Sequence, residues 1–429
     1  MSRLLAGLLV VPLAAMAFGQ DSLSLDDALR FARERNGTVR AALLNVRSAG
    51  ERVVQARSAF LPTVTPLWRY DDTRQTGPTL PTAFTSQGSR AEFSANWRIL
   101  DAGQRVWALQ ASRASADAEE LSALQTVREV LFTVHQQYYD ALRMDELLRV
   151  ASTQVNRAEQ ILAQTEAQVE VGDAPEKDIF QARADYLNAK VQQLVARNRT
   201  TTAQAALKAT IGWDATQALP DLVALKRPET FAEVAPLVEM VAQGLANRPD
   251  LGGQRYRVDA LRSNSRRADR EAGVTWSLDA TYNRSVTPDT AHNRVVTFLV
   301  SLPLFDGGFT RAAAREAEAN LDATRSALAQ SERTAVSEIE SAHAELSQNS
   351  ERLMAAQSAV EAALKNYEAA VEAQKAGAAG TNVVSVLTAQ VSLVTAESNF
   401  VEALYDYFIS DVRMRVATGR PIAGEEAGG

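Results

Sequence analysis

Residues 103–171 read GQRVWALQASRASADAEELSALQTVREVLFTVHQQYYDALRMDELLRVASTQVNRAEQILAQTEAQVEV. The stretch holds no proline and, after its first residue, no glycine. Val127, Val134, Ala141, Leu148, Val155, Leu162 and Val169 recur at a period of seven, with Ala151 and Ala158 three residues after seam positions. A sustained seven-residue apolar period marks a left-handed coiled-coil seam. At ~1.5 Å per residue, a helix over 103–171 extends about 100 Å. The bland alternative is an ordinary helical bundle, whose helices average only about 11–12 residues.

The pattern occurs twice. Residues 308–376 repeat it, with Ile339, Leu346, Leu353, Val360 and Tyr367 at period seven and Ala356, Ala363 and Ala370 three residues on. Leu100-Asp101-Ala102-Gly103 resembles Phe305-Asp306-Gly307-Gly308, and Gly172 matches Gly377 at the same offset. Gly212 answers to Gly419, and Arg35-Asn36-Gly37 to Asn247-Arg248-Pro249. The chain divides into a first repeat (21–212), a linker or equatorial segment (213–231), a second repeat (232–419) and a tail (420–429). Helices over 24–60 and 175–211, laid end to end, match the length of 103–171; those over 232–272 and 381–418 match 308–376. Ser24 is the expected N-cap of the first, with Asp27 three residues on, and Pro175 the expected first residue of the helix after the turn. Each repeat is therefore expected to coil one long helix against two short ones in line.

Between the short and long helices lie alternating segments, expected as hairpins over 61–100 and 273–304. Phe93, Ala95, Trp97 and Ile99 alternate with polar residues, and Val274, Trp276, Leu278, Ala280 and Tyr282 do the same; Val296, Phe298, Val300 and Leu302 form another apolar row, partly matched by Thr297 and Ser301, and Val64, Pro66, Trp68 and Tyr70 form the weakest. A period of two with one apolar face is a β signature. One reading is a small soluble sheet. The other is a membrane barrel, whose strands run about 9–11 residues and carry aromatic girdles. On that reading Trp68, Phe93, Trp97, Trp276, Tyr282 and Phe298 face lipid. Four strands cannot close a barrel, which needs about eight; three chains would supply twelve.

Residues 1–20 have the form of a secretory signal: Arg3, an apolar run from Leu4 to Leu13, then Ala15-Met16-Ala17. Cleavage near Ala17 would leave 44 cations against 52 acids, a charge of 44 − 52 = −8 from the full chain's −7. No basic block suits nucleic acid. The absence of cysteine excludes disulfides and thiolate chemistry. His135, His292 and His343 are far apart; His135 and His343 read as seam or surface residues. No G-x-S-x-G, P-loop or H-E-x-x-H motif occurs. Neither enzyme activity nor a cofactor or metal is expected.

The order helix, hairpin, long helix, turn, helix, taken twice, resembles the TolC family of outer-membrane channel proteins. Leu302-Pro303-Leu304-Phe305-Asp306-Gly307-Gly308 and Ala246-Asn247-Arg248-Pro249-Asp250-Leu251 carry the likeness, with the turn Val171-Gly172 followed by Asp178 and Ala182. The resemblance implies a mostly α fold with a membrane β-barrel: a homotrimer whose 12-stranded barrel sits in outer-membrane lipid and continues into a periplasmic α-helical tunnel. It further implies docking to a periplasmic adaptor (membrane fusion) protein and an inner-membrane RND, ABC or MFS transporter, as the exit duct of an efflux pump or type I secretion system. The tip turns, 172–175 and 377–380, are then the expected adaptor contacts, through Gly172, Asp173, Pro175, Gly377 and Gly380. The resemblance puts Asp178, Ser385 and Thr388 at the pore constriction, the last two where the best-known member of the family has paired aspartates. A periplasmic coiled-coil tether without channel activity stands as the alternative.

Overall fold

The computed structural model describes residues 22–75, 84–172, 174–225, 235–287, 290–375 and 383–425. The expected signal segment, Asp173, Gly377 and Gly380 lie outside them. The elements are, in chain order, β1 (Ser22–Leu23), α1 (Leu25–Arg35), α2 (Gly37–Ser58), β2 (Thr63–Gln75), β3 (Phe84–Asp101), α3 (Gln104–Glu170), α4 (Glu176–Ile211), β4 (Asp221–Leu222), α5 (Leu237–Asn247), α6 (Pro249–Ala268), β5 (Thr275–Thr287), β6 (Ala291–Ser301), α7 (Phe309–Lys375) and α8 (Val383–Ala417).

The two long helices hold 67 residues each. The same device starts both. Asp101 Oδ1 and Oδ2 accept from the N–H groups of Gly103 and Arg105 at 3.2 and 3.1 Å; Asp306 accepts from Gly308 and Thr310, each at 2.9 Å. A carboxylate at a helix start satisfies N–H groups that have no partner within the helix. Gly103 and Gly308 sit at φ 88° and 91°, backbone that residues with a Cβ adopt only at a cost. This is the physical content of the Asp-x-Gly repeat.

The single helices expected over 24–60 and 232–272 are each broken in two. In the first, Asn36 ends α1 and caps α2: its Oδ1 accepts from Thr38 N–H at 2.8 Å, and its side-chain amide donates to Thr210 O at 2.9 Å. In the second, the break falls at Arg248, where Pro249 opens α6; proline disfavours helical backbone in the residue before it. The Arg35-Asn36-Gly37 and Asn247-Arg248-Pro249 match is thus a repeated helix break. Ser24 caps α1 as expected, Asp27 N–H donating to its Oγ at 3.1 Å. Pro175 stands one place earlier than expected, as the extended N-cap of α4.

Along α3, α2 and α4 pack in line on one side and α6 and α8 on the other; α7 packs on α6 and α8. The main core lies where the break in α1–α2, the middle of α3 and the ends of α4 and α8 meet, around Leu29, Leu131, Val134, Tyr138, Leu207 and Ile211. The Tyr138 hydroxyl lies 2.9 Å from Leu23 O and 3.0 Å from Val223 O, tying the small parallel pair β1–β4 to α3. Burial pushes that phenol up to about 12, so it remains a donor.

Candidate functional site

The sheet is antiparallel, in the order β2-β3-β5-β6. The two hairpins of the chain therefore join through β3 and β5. Facing residues of an antiparallel pair share a face, so the register settles which side chains keep company. Val64, Ala95, Ala280 and Val296 form one row; Pro66, Phe93, Tyr282 and Arg294 another; Trp97, Leu278 and Phe298 a third. Beyond them Leu100 meets Trp276 and Val300, because a bulge between Arg98 and Leu100 takes Ile99 out of step. That corrects the expected alternation, in which Ile99 ended the apolar row. Trp276 and Phe298 stack edge to face, their centroids 5.8 Å apart.

The aromatic residues expected toward lipid, Trp68, Phe93, Trp97, Trp276, Tyr282 and Phe298, all lie on this one face. Trp68 is 68% exposed and Phe298 56%, so nothing among the described residues covers it. From the Trp276 row to the row of Trp68, Ala91 and Arg284 is eight residues along β5, about 27 Å at ~3.4 Å per residue. Outer-membrane barrels carry an apolar band of about 25 Å. The opposite face is mostly polar, with Leu67, Val295 and Leu299 its apolar exceptions: Asn96 donates to Asp279 across β3–β5, and Ser277 to Asp279 at 3.2 Å. Strands β2 and β6 each pair on one side only.

At the far end of the long helices, Gly172 has φ 83° and closes α3 with an N–H bond to Val169 O. Asp178 is partly exposed in the first turn of α4, its N–H bonded to Pro175 O at 3.0 Å. Ser385 and Thr388 are exposed three residues apart on α8, and Thr388 Oγ1 donates to Val384 O at 2.8 Å. Two ion-paired clusters hold α8 to its neighbours above this end. Arg157 grips Glu397 through both terminal nitrogens, at 3.1 and 3.2 Å, and lies over the Tyr367 ring. Asp406 accepts from Arg143 of α3 and Arg352 of α7, each at 2.9 Å.

One constellation went unread in the sequence. The tail folds back on the core: Arg128 pairs with Glu425 at 2.6 Å and donates to Arg420 O, Arg33 donates to Gly424 O at 2.9 Å, and Ile422 is buried. His135, expected at a seam or on the surface, is buried with them, its Nε2 3.4 Å from Ala423 O and its Nδ1 3.3 Å from the Tyr139 hydroxyl. Burial lowers its pKa. Among the described residues no group of carboxylates and histidines has the spacing of a metal site, and no helix is long and apolar enough to cross a membrane.

The model of the outer membrane efflux protein family matches residues 28–213 and 240–420. The chain belongs to this family. Outer membrane efflux protein BepC of Brucella suis biovar 1 is similar, 23% identical over 81% of this chain and 77% of that one. So is the pyoverdine export outer membrane protein OpmQ of Pseudomonas putida, 27% identical over 70% of this chain and 65% of that one. Of solved structures, the outer-membrane channel OprN superposes with a TM-score of 0.78 at 18% identity, covering 92% of this chain and 90% of the other. As an outer membrane efflux protein, this chain is a channel component of the outer membrane and not an enzyme. Its fold is shared with that channel, and within it the sheet carries the bare apolar face.

Proposed function

We propose that three copies of this chain join their sheets edge to edge into a 12-stranded barrel and act as the passive exit duct of a tripartite pump or secretion system. The observation that carries this is the sheet itself: four strands, two half-paired edges and one bare apolar face. Unpaired backbone in hydrocarbon costs several kcal/mol per group, so a spanning sheet has to close. A coiled-coil tether would have no use for that face. The expected result is a heat-sensitive oligomer, extracted by detergent from outer membrane, that conducts ions in a planar bilayer. Recovery in the salt-washed soluble fraction would reject the duct.

The helix tips, Gly172–Pro175 and 377–380, are the proposed adaptor contacts, with an RND, ABC or MFS transporter beneath. Crosslinkers placed there are expected to capture an adaptor in cells. Asp178, Ser385 and Thr388 are the proposed constriction. A ring of acids favours cations; with hydroxyls at Ser385 and Thr388, Asp178 is the acidic member of the three. Gly377→Ala with Gly380→Ala should change single-channel conductance if that turn opens the duct.

A further inference from the structure

The apolar face of the sheet carries cations at one end only. Arg294 faces Tyr282 across β5–β6, and one row further on Arg284 faces His292. Along β5, Tyr282 is 282 − 276 = 6 residues from Trp276, about 20 Å at ~3.4 Å per residue, and Arg284 is 284 − 276 = 8, about 27 Å. At the other end, Trp276 keeps company with Leu100 and Val300, and Leu278 with Trp97 and Phe298, with no charge among them.

A cation on a lipid-facing strand is costly at the middle of a bilayer and close to free at its edge. Arg284 stands at the far edge of an apolar band of about 25 Å, and Arg294 one row inside it, within reach of the edge along its own stem. The Arg294 guanidinium lies 5.6 Å over the Tyr282 ring, and Trp68 shares the row of Arg284. Cations and aromatic girdle therefore coincide at one level. Arg284, His292 and Arg294 are all exposed, and none of them has an ion-paired partner among the described residues. The acids nearest along the strands, Glu92 and Asp279, stand on the opposite face. Asp72 shares the face, but two strands away and two rows closer to the turns.

We propose that Arg284, Arg294 and His292 seat a phosphate of the lipid that forms the outer leaflet of the outer membrane, a phosphorylated glycolipid. This rests on the barrel reading above, which puts the strand ends leading into α3 and α7 on the periplasmic side and the hairpin turns outside. The membrane is asymmetric in the same sense as the sheet: phosphorylated sugars crowd the outer leaflet, and the cations stand only at that end of the band. Clusters of basic side chains at a membrane surface select anionic headgroups. Arg284 and Arg294 are diagonal neighbours across β5–β6, with Cβ atoms about 7–8 Å apart, a spacing that brackets one phosphate. Each offers a planar fork of N–H donors matched to phosphate oxygens, and the His292 ring adds a donor beside them. The acyl chains of the same lipid then lie on the bare rows of Val296 and Phe298 below.

The test is native mass spectrometry of the detergent-purified protein with added lipid A, an acylated glucosamine disaccharide bearing two phosphates. Wild type should retain the lipid, and Arg284→Gln/Arg294→Gln should weaken retention by at least about tenfold, through two lost charge-assisted contacts. Arg284→Lys/Arg294→Lys should restore part of it. Arg90→Gln, on the opposite face, should change nothing; an equal loss there would mean that net charge alone is read, and the seat would fall. Lipid A stripped of its phosphates should bind wild type no better than intact lipid binds the double glutamine variant. Undiminished binding of the stripped lipid would assign retention to the acyl chains, and displacement by an equal concentration of inorganic phosphate would make this a free-phosphate site; either overturns the proposal. An oligomer whose lipid retention ignores the double substitution removes the seat and leaves the barrel, whereas single chains in every sample remove both.

Discussion

The equator and the sheet of this protein solve opposite problems. At the equator, Leu131, Val134 and Tyr138 are fully enclosed, and the tail, β1–β4 and four helices supply every partner from one chain. In the sheet, aromatic and branched residues stay bare: Val296 is 72% exposed and Trp68 68%. One region is finished by its own sequence; the other is left bare by it. Burial of apolar area stabilises the first on folding; on the barrel reading proposed above, the second would gain it only on insertion.

Four measurements test that contrast. The largest effect is expected from Arg128→Met, which strands Glu425 without its partner; removing one member of a buried pair costs about 3–5 kcal/mol, read as a lower guanidinium midpoint by circular dichroism in detergent. Adding Glu425→Leu should recover part of it. Leu131→Ala should cost about 2–5 kcal/mol in the same assay, as a cavity in a closed core. Val296→Arg should cost about 2–4 kcal/mol in lipid bilayers, whereas Thr281→Arg on the opposite face should be near neutral; equal penalties would mean that the two faces see the same solvent.

The smallest effect concerns pH. Burial lowers the pKa of His135 from 6.5, against the Ala423 carbonyl and the nearby Asp26 and Asp411, which favour its charge, while Arg415 opposes it. In the folded chain the ring is therefore neutral at pH values where the unfolded chain already binds a proton. Stability should fall as pH drops through about 6.5 toward the lower folded value, then level off. His135→Gln should remove that slope; an unchanged slope would assign it elsewhere.

The sequence was most legible where a period runs unbroken. The 67-residue helices follow from absent prolines and a sevenfold apolar row, and the apolar face of the sheet from alternation at Trp276, Leu278, Ala280 and Tyr282. It was less legible where one residue overrides a period. Asn36 interrupts a helical pattern because its side chain offers the backbone a better partner, and the bulge at Ile99 shifts the last turn of an otherwise strict alternation. The tail was illegible: Arg128, His135 and Glu425 carry no spacing that announces contact across nearly 300 residues. The tip assignments, Gly172, Asp178, Ser385 and Thr388, come from likeness to other channels, since a turn and two hydroxyls have no chemistry that names a pore.

That tail has a bearing on how the chain is born. Ile422 completes a core whose other members lie as early as Leu23, so the middle of the protein is sealed only when segments from far apart in the sequence meet. Contacts so distant in sequence form late, after the local helices, and the segment from Arg420 to Glu425 acts as their buckle.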